Sequence, residues 1–127
     1  MAQSNQSNQP VQASQASQAS SPTVEVLYFE SCPNHERAVA LVKRALAAEH
    51  ITAPIQFIRV ETDEEAQRYG FYGSPTIRIN GEDIAPPPAG ATPGLACRVY
   101  RLPDGHLAPV PAYEAILDAL HQTRRDR

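Results

Sequence analysis

The amino-acid sequence predicts an α/β fold in which helices flank a central mixed four-stranded sheet. Residues 24–29 form a short, nearly continuous apolar run, which is typical of a buried central strand. A stretch with apolar residues at helical spacing follows, and residues 55–60 form a second strand-like run, which predicts a parallel pair joined by a crossover helix. Asn80-Gly81, between two further extended segments, is a strong signal for an antiparallel hairpin. A parallel pair together with a hairpin makes the sheet mixed.

The first half of the chain supplies two predicted helices. One is predicted over residues 33–48, because Pro33 is tolerated in a first helical turn and apolar residues follow at helical spacing. These apolar residues are Ala38, Leu41, Val42, Ala45 and Leu46. The other helix is short, because residues 62–65, Thr-Asp-Glu-Glu, form a capping-box pattern and Gly70 ends the helical stretch.

The second half contains the hairpin, an insertion and a last helix. Strands are predicted at residues 76–79 and 82–85. Residues 86–94 are rich in proline and glycine and are predicted to form a loop. Residues 95–102 are predicted to be extended before a turn at residues 103–105, and an amphipathic pattern predicts a helix over residues 112–123. The last helix is therefore preceded by an inserted loop and extended segment.

Composition divides the 127 residues into a tail and one domain. Residues 1–22 are mostly Gln, Ser, Asn, Ala and Pro, so we expect a disordered tail before a single domain at residues 23–127. The sequence shows neither a secretory signal nor an apolar run of ~20 residues, which predicts a cytoplasmic protein without a membrane partner. The net charge of −3 gives no reason to expect nucleic acid, and the two cysteines are expected to be reduced at rest.

Several segments resemble the thioredoxin family. Residues 69–76, Tyr-Gly-Phe-Tyr-Gly-Ser-Pro-Thr, resemble that family's approach to its cis-proline, and the predicted order of elements resembles its fold. More narrowly, LYFESCPN, GSPTIRING and GLACRVY resemble small bacterial thioredoxin-like proteins that are sometimes labelled alkylmercury lyases. The similarity covers residue 24 to about residue 85 and the last helix, whereas residues 86–111 depart from it. The resemblance implies a thioredoxin-like fold in which the loops around Cys32 and Pro75 meet.

The resemblance also implies a substrate-binding set. In it the peptide bond before Pro75 is cis, the backbone of Ser74 pairs with an extended substrate, and Pro33 lies beside the thiol. The simpler interpretation is that Pro75 is an ordinary proline at the first residue of an edge strand. In that case Ser74 serves only the turn.

Cys32 and His35 are candidate catalytic residues. A thiol at a helix N-terminus faces unsatisfied N–H groups and the positive end of the helix dipole, which favour the thiolate that attacks disulfides. The alternative is that Cys32 is a small buried apolar residue at a turn. His35 stands where a dithiol thioredoxin has its second cysteine; it can pair with a thiolate or carry its proton, but it cannot resolve a mixed disulfide. The alternative for His35 is a solvent-facing position in the first turn.

Cys97 is the third candidate catalytic residue. The second arm of an antiparallel hairpin ends beside the beginning of the first, so the chain is predicted to leave Ala85 at the edge where Cys32 lies. Cys97 comes about a dozen residues after Ala85, so a loop of that length can bring it back to Cys32. The two cysteines are hypothesised to close a disulfide or to bind one soft ion. The alternative is that Cys97 is a core position of an extra strand.

Three functions follow from these residues. The leading hypothesis is thiol–disulfide exchange by Cys32 with protein or small-molecule thiols and disulfides, resolved by Cys97 or by an external thiol such as glutathione, with no cofactor. The second is capture of a soft metal ion by Cys32 and Cys97, with organomercurial cleavage as its extreme form. The third is a redox-silent module that binds peptides beside Pro75. The four histidines have no spacing that predicts a zinc site, and the sequence leaves the oligomeric state open.

Overall fold

The computed structural model describes residues 22–125, and within them a four-stranded mixed sheet has the order β2-β1-β3-β4. The strands are β1 (Val24–Tyr28), β2 (Ile55–Arg59), β3 (Thr76–Ile79) and β4 (Glu82–Asp83). β1 pairs with β2 in parallel and with β3 antiparallel, and β3 pairs with β4 antiparallel. The predicted mixed four-stranded sheet is therefore confirmed.

β1 is one of the two interior strands of the sheet, since β1 and β3 each have a hydrogen-bonded neighbour on both sides. Val24, Val26 and Leu27 have no exposed surface, which confirms the prediction of a buried strand. Successive side chains of a strand point to opposite faces. Val24 and Val26 accordingly belong to one hydrophobic core, and Leu27 belongs to another on the opposite face.

Three helices cover the two faces of the sheet: α1 (His35–Ala48), α2 (Asp63–Tyr69) and α3 (Tyr113–Arg125). On one face, α1 and α3 share a core with β1 and β3. Its buried residues are Val24, Val26, Ala38, Val42, Ala45, Leu46, Ile77, Ile79, Val110, Ile116 and Leu120. On the other face, α2 contributes Ala66 to a smaller core with Leu27, Val60 and Phe71.

The helix boundaries differ from the predictions by one or two residues. α1 begins at His35 rather than at Pro33, because turns at residues 30–31 and 33–34 come first and Asn34 is the N-cap. α2 begins after Thr62, whose hydroxyl accepts a hydrogen bond from the Glu65 amide at 3.0 Å, as a capping box requires. It ends at Gly70, which adopts the left-handed conformation common at helix ends.

The hairpin turns at Asn80 and Gly81, whose φ angles are 55° and 81°. Two positive φ angles match the type I′ turn that the Asn-Gly pair predicts. β4 is shorter than the predicted 82–85, because the Asp83 carboxylate accepts a hydrogen bond from the Ala85 amide at 2.9 Å and the chain leaves the ladder before the prolines.

The insertion forms a second, two-stranded antiparallel sheet from β5 (Tyr100–Arg101) and β6 (Leu107–Ala108). The predicted turn at residues 103–105 joins these strands, with the Gly105 amide donating to the Leu102 carbonyl at 2.8 Å. Within residues 95–102, which were predicted to be extended, Cys97 pairs with Ser74 and residues 100–101 pair with β6.

Residues 1–21 and 126–127 lie outside the described residues, so the disordered tail at 1–22 stays a prediction. Among the described helices, none combines the length and the apolar character needed to cross a membrane.

Candidate functional site

Two loops meet at the end of the sheet where β1 finishes and β3 begins. Leu27 and Thr76 are register partners, so the loop after β1 and the loop before β3 lie side by side. The Phe29 amide donates to Ser74 Oγ at 3.3 Å and joins the two loops directly. The Cys32 amide donates to the Phe29 carbonyl at 3.0 Å, which closes the turn that carries the thiol. The Ser74–Pro75 peptide bond is cis.

Cys32 is almost completely covered at this junction, with 2% of its surface exposed. Ser74 is equally buried, at 1% exposure. A nucleophilic thiol needs access to its substrate as well as a suitable environment. What covers the junction therefore decides which molecules can reach Cys32.

The main chain of Ser74 is already paired with another segment of the protein. Its amide donates to the Ala96 carbonyl at 2.8 Å, and its carbonyl accepts from the Arg98 amide at 2.9 Å. These two bonds make a parallel bridge between Ser74 and Cys97. We call residues 94–100 the strap. The strap therefore occupies the main-chain groups of Ser74 that the resemblance assigns to an extended substrate.

The strap is also held at its first residues and at Gly73. The Gly94 amide donates to the Phe71 carbonyl at 3.0 Å, and the Leu95 amide donates to Asp63 Oδ1 at 3.4 Å. Gly73 has a φ of 138°, and a Cβ atom there would lie 3.1 Å from Arg98 Cβ and 3.3 Å from the Ala96 carbonyl. A glycine is therefore needed at position 73 both for the backbone conformation and for the close approach of the strap.

Arg98 fastens the strap to the hairpin. Its side chain is 8% exposed and forms an ion pair with Asp83 at 2.7 Å. The guanidinium also donates to Thr76 Oγ1 at 3.1 Å and to the Ala85 carbonyl. A buried charge is tolerated when its hydrogen bonds are satisfied in this way. The strap is therefore an ordered part of the domain.

Tyr100 links the strap to Pro75, just before β3. Its hydroxyl donates to the Pro75 carbonyl, and the guanidinium of Arg98 lies 4.8 Å from the centre of its ring. Burial raises the pKa of Tyr100 well above its usual range; the positive charge of Arg98 opposes this, while Asp83 and Cys32 add to it.

His35 contacts the backbone of Cys32. Its Nδ1 donates to the Cys32 carbonyl at 2.9 Å, and its ring stacks on Tyr28 with 4.5 Å between the ring centres. The contact places the proton on Nδ1 and connects the first turn of α1 to the loop that carries the thiol. Pro33, between these two residues, is exposed. The geometry gives His35 a bracing contact with the Cys32 loop.

The two cysteines differ in exposure. Both are free thiols, Cys32 buried and Cys97 exposed. Cys97 is therefore not a core position, which corrects the alternative that the sequence left open. The bridge to Ser74 places its backbone one residue from Pro75, on the same edge as the Cys32 loop. Within residues 22–125, no group of three or more His, Cys, Asp or Glu side chains is arranged to hold a metal ion.

The sequence did not identify Gly73, Asp83, Arg98 or Tyr100 as parts of the site. The alternation Cys97-Arg98-Val99-Tyr100 carries a signal, because the second and fourth residues are buried while the first and third are exposed. The burial of an arginine cannot be predicted from the sequence unless its acidic partner is known. Here the partner, Asp83, lies fifteen positions away.

No protein-family model, curated protein or solved structure matches this chain.

Proposed function

We propose that the protein is a thioredoxin-like thiol protein in which Cys32 takes part in thiol–disulfide exchange. The observation that most supports this proposal is the position of Cys32. It lies between the end of β1 and the start of α1, in a loop that is hydrogen-bonded to Ser74. The strand order β2-β1-β3-β4, with a crossover helix and a terminal hairpin, is compatible with that fold. The contact of His35 with the Cys32 carbonyl fixes the loop that carries the thiol to the first turn of α1.

The reaction balances with two protein thiols and no cofactor. The Cys32 thiolate attacks one sulfur of a disulfide RSSR, the substrate S–S bond breaks, and one RS⁻ leaves while the other RS group stays bonded to the Cys32 sulfur as a mixed disulfide. The Cys97 thiolate then attacks the Cys32 sulfur, releases the second RS⁻ and forms a Cys32–Cys97 disulfide. The substrate gains two electrons and the protein loses two. An external thiol such as glutathione returns the protein to the dithiol.

Cys97 suits the resolving step because it is exposed and its backbone pairs with Ser74. The strap has to shift for the two sulfurs to meet, since Cys32 is buried. When Cys97 is absent, an external thiol takes over this step.

The test is to incubate the reduced protein with glutathione disulfide, quench with acid and map the adducts by mass spectrometry. We expect an intramolecular disulfide in the unmodified protein and a glutathione adduct on Cys32 in Cys97→Ser. Cys32→Ser serves as the control and should carry glutathione only on Cys97. A Cys32 that forms no adduct in the folded Cys97→Ser protein, yet does so after unfolding, would contradict the proposal.

Soft-metal binding is a second proposal, supported by the same bridge, because it brings Cys97 to Ser74, which is bonded to the Cys32 loop, and thiolates suit a soft ion such as Hg²⁺. Here the expected result is one tightly held Hg²⁺ in the reduced protein and much weaker binding in both Cys32→Ser and Cys97→Ser. Equal affinity in the three proteins would reject a shared site.

A further inference from the structure

The Ser74 edge offers one N–H donor and one C=O acceptor beside the thiol loop. A polypeptide that docks as an added strand needs both of these groups, because main-chain hydrogen bonds supply most of the affinity in that mode. In this protein both are bonded to the strap, at 2.8 Å and 2.9 Å. The strap thus holds the place that an extended substrate would take.

Displacing the strap requires more than breaking those two bonds. Arg98 would have to leave its ion pair with Asp83 and its bond to Thr76, and Tyr100 would have to leave the Pro75 carbonyl. Gly73 would also lose the close contact that the absence of a Cβ atom permits. An incoming peptide restores only the two main-chain bonds, so the exchange of strap for peptide is unfavourable.

A small disulfide does not need the Ser74 edge. It requires only that the buried Cys32 sulfur becomes accessible, while the Arg98 anchor at the hairpin stays in place. Cys97 and Val99, on the outer side of the strap, are exposed and make that side the one that faces an approaching molecule.

We infer that the strap makes Cys32 selective for low-molecular-weight disulfides and excludes disulfides carried in extended polypeptides. This inference rests on the proposed function, since it names the substrate class of the same thiol. Gly73, Arg98 and the pairing of Ser74 with Ala96 are the specificity-determining features.

The test compares two substrates that share a leaving group. One is cysteine in mixed disulfide with thionitrobenzoate, and the other is a short unstructured peptide whose single cysteine carries the same group. Cys97→Ser is the background, so that the released thionitrobenzoate reports attack by Cys32 alone. Each rate is divided by the rate of the same substrate with free cysteine, which removes intrinsic differences in reactivity.

We expect the corrected rate for the small substrate to exceed that for the peptide by about tenfold or more, because the strap leaves no place for the peptide chain beside Ser74; tenfold corresponds to about 1.4 kcal/mol. Adding Arg98→Ala should bring the two corrected rates close together. Arg101→Ala, which removes an exposed arginine bonded to the Gly105 carbonyl, is the matched control and should keep the preference. Gly73→Ala is a second way to release the strap, because the new Cβ meets strap atoms.

Equal corrected rates in the Cys97→Ser protein would overturn the inference without any further variant, and so would a preference that survives release of the strap in folded Arg98→Ala and Gly73→Ala proteins. A Cys32 that reacts with neither substrate, giving the rate of the double Cys32→Ser, Cys97→Ser protein, would overturn the proposed function and the inference with it. Circular dichroism of each variant verifies that it is folded.

Discussion

Arg98 is a charged residue whose side chain is only 8% exposed. Its guanidinium pairs with Asp83 and donates hydrogen bonds to Thr76 and to the Ala85 carbonyl. The same residue that anchors the strap is therefore a point at which the fold is vulnerable. Removing one member of a buried ion pair is costly because the remaining charge has no partner.

Arg98→Ala is accordingly expected to lower the free energy of unfolding by about 3 kcal/mol. Urea denaturation of the reduced protein measures the change. The matched control is Arg101→Ala, at an exposed position, which should cost about 0.5 kcal/mol or less. Similar losses in the two variants would show that the Arg98–Asp83 pair contributes no more than a surface arginine.

Ionisation of Tyr100 is expected to make the stability of the protein depend on pH in the alkaline range. An unfolded tyrosine has a pKa of about 10, whereas burial raises the pKa of Tyr100 in the folded protein. Above pH ~10 the unfolded chain releases a proton that the folded protein keeps, so stability is lost as the pH rises toward the folded pKa. The loss is about 1.4 kcal/mol for each pH unit.

Tyr100→Phe should remove this part of the pH dependence, while also losing the hydrogen bond to the Pro75 carbonyl. Urea denaturation at pH 9 and at pH 11, with a reductant present, compares the slopes. Tyr69→Phe is the control, because Tyr69 is 37% exposed, and it should keep the slope of the unmodified protein. The same slope in Tyr100→Phe would mean that Tyr100 is not the source.

Among the elements, α3 contributes most clearly to the larger core. Ile116 and Leu120 lie on the face that packs against α1 and the sheet, at 0% and 1% exposure. The amphipathic pattern of residues 112–123 predicted this face, and the helix begins one residue later than expected.

Leu120→Ala should therefore destabilise the protein by about 2–5 kcal/mol, the cost of a cavity in a packed core. Leu107→Ala is the same chemical change at a leucine that is 63% exposed, and we expect it to cost about 0.5 kcal/mol or less. Thermal unfolding of the two variants gives the comparison. Equal shifts in melting temperature would contradict the assignment of α3 to the core.

Elements defined by local signals could be predicted from the sequence. β1, the Asn80-Gly81 turn and the Thr62 cap depend on residues within a few positions of one another, and the structure has all three. The predicted start of α1, at Pro33, is two residues earlier than the observed start at His35. Pro33 suits a first helical turn, but it lies in a backbone turn that precedes the helix.

At the scale of the whole molecule, topology brings the Cys32 loop to Ser74, and this much follows from the order of the elements. Antiparallel pairing of β1 with β3 is sufficient to place the two loops together. The strap could not be predicted in the same way, because its position depends on Arg98 meeting Asp83 and on Ala96 meeting Ser74, contacts between distant residues that no local pattern contains.

The strap also changes what the molecule as a whole presents to solvent. The main-chain groups of Ser74, next to the Cys32 loop, are paired with the strap, and the exposed thiol belongs to the strap itself. The segment that occupies this edge is fixed by the ion pair between Arg98 and Asp83, which lies in the hairpin strand on the far side of β3 from β1.

The central claim is that the fold makes Cys32 a reactive thiol. The most direct test is the second-order rate constant of the Cys97→Ser protein with glutathione disulfide, measured at pH 7 in buffer and again in urea that unfolds the chain. We expect a faster reaction in the folded protein, because its backbone holds Cys32 in a fixed loop between β1 and α1. A slower reaction in the folded protein than in urea would show that Cys32 is a covered structural cysteine, and it would contradict the account.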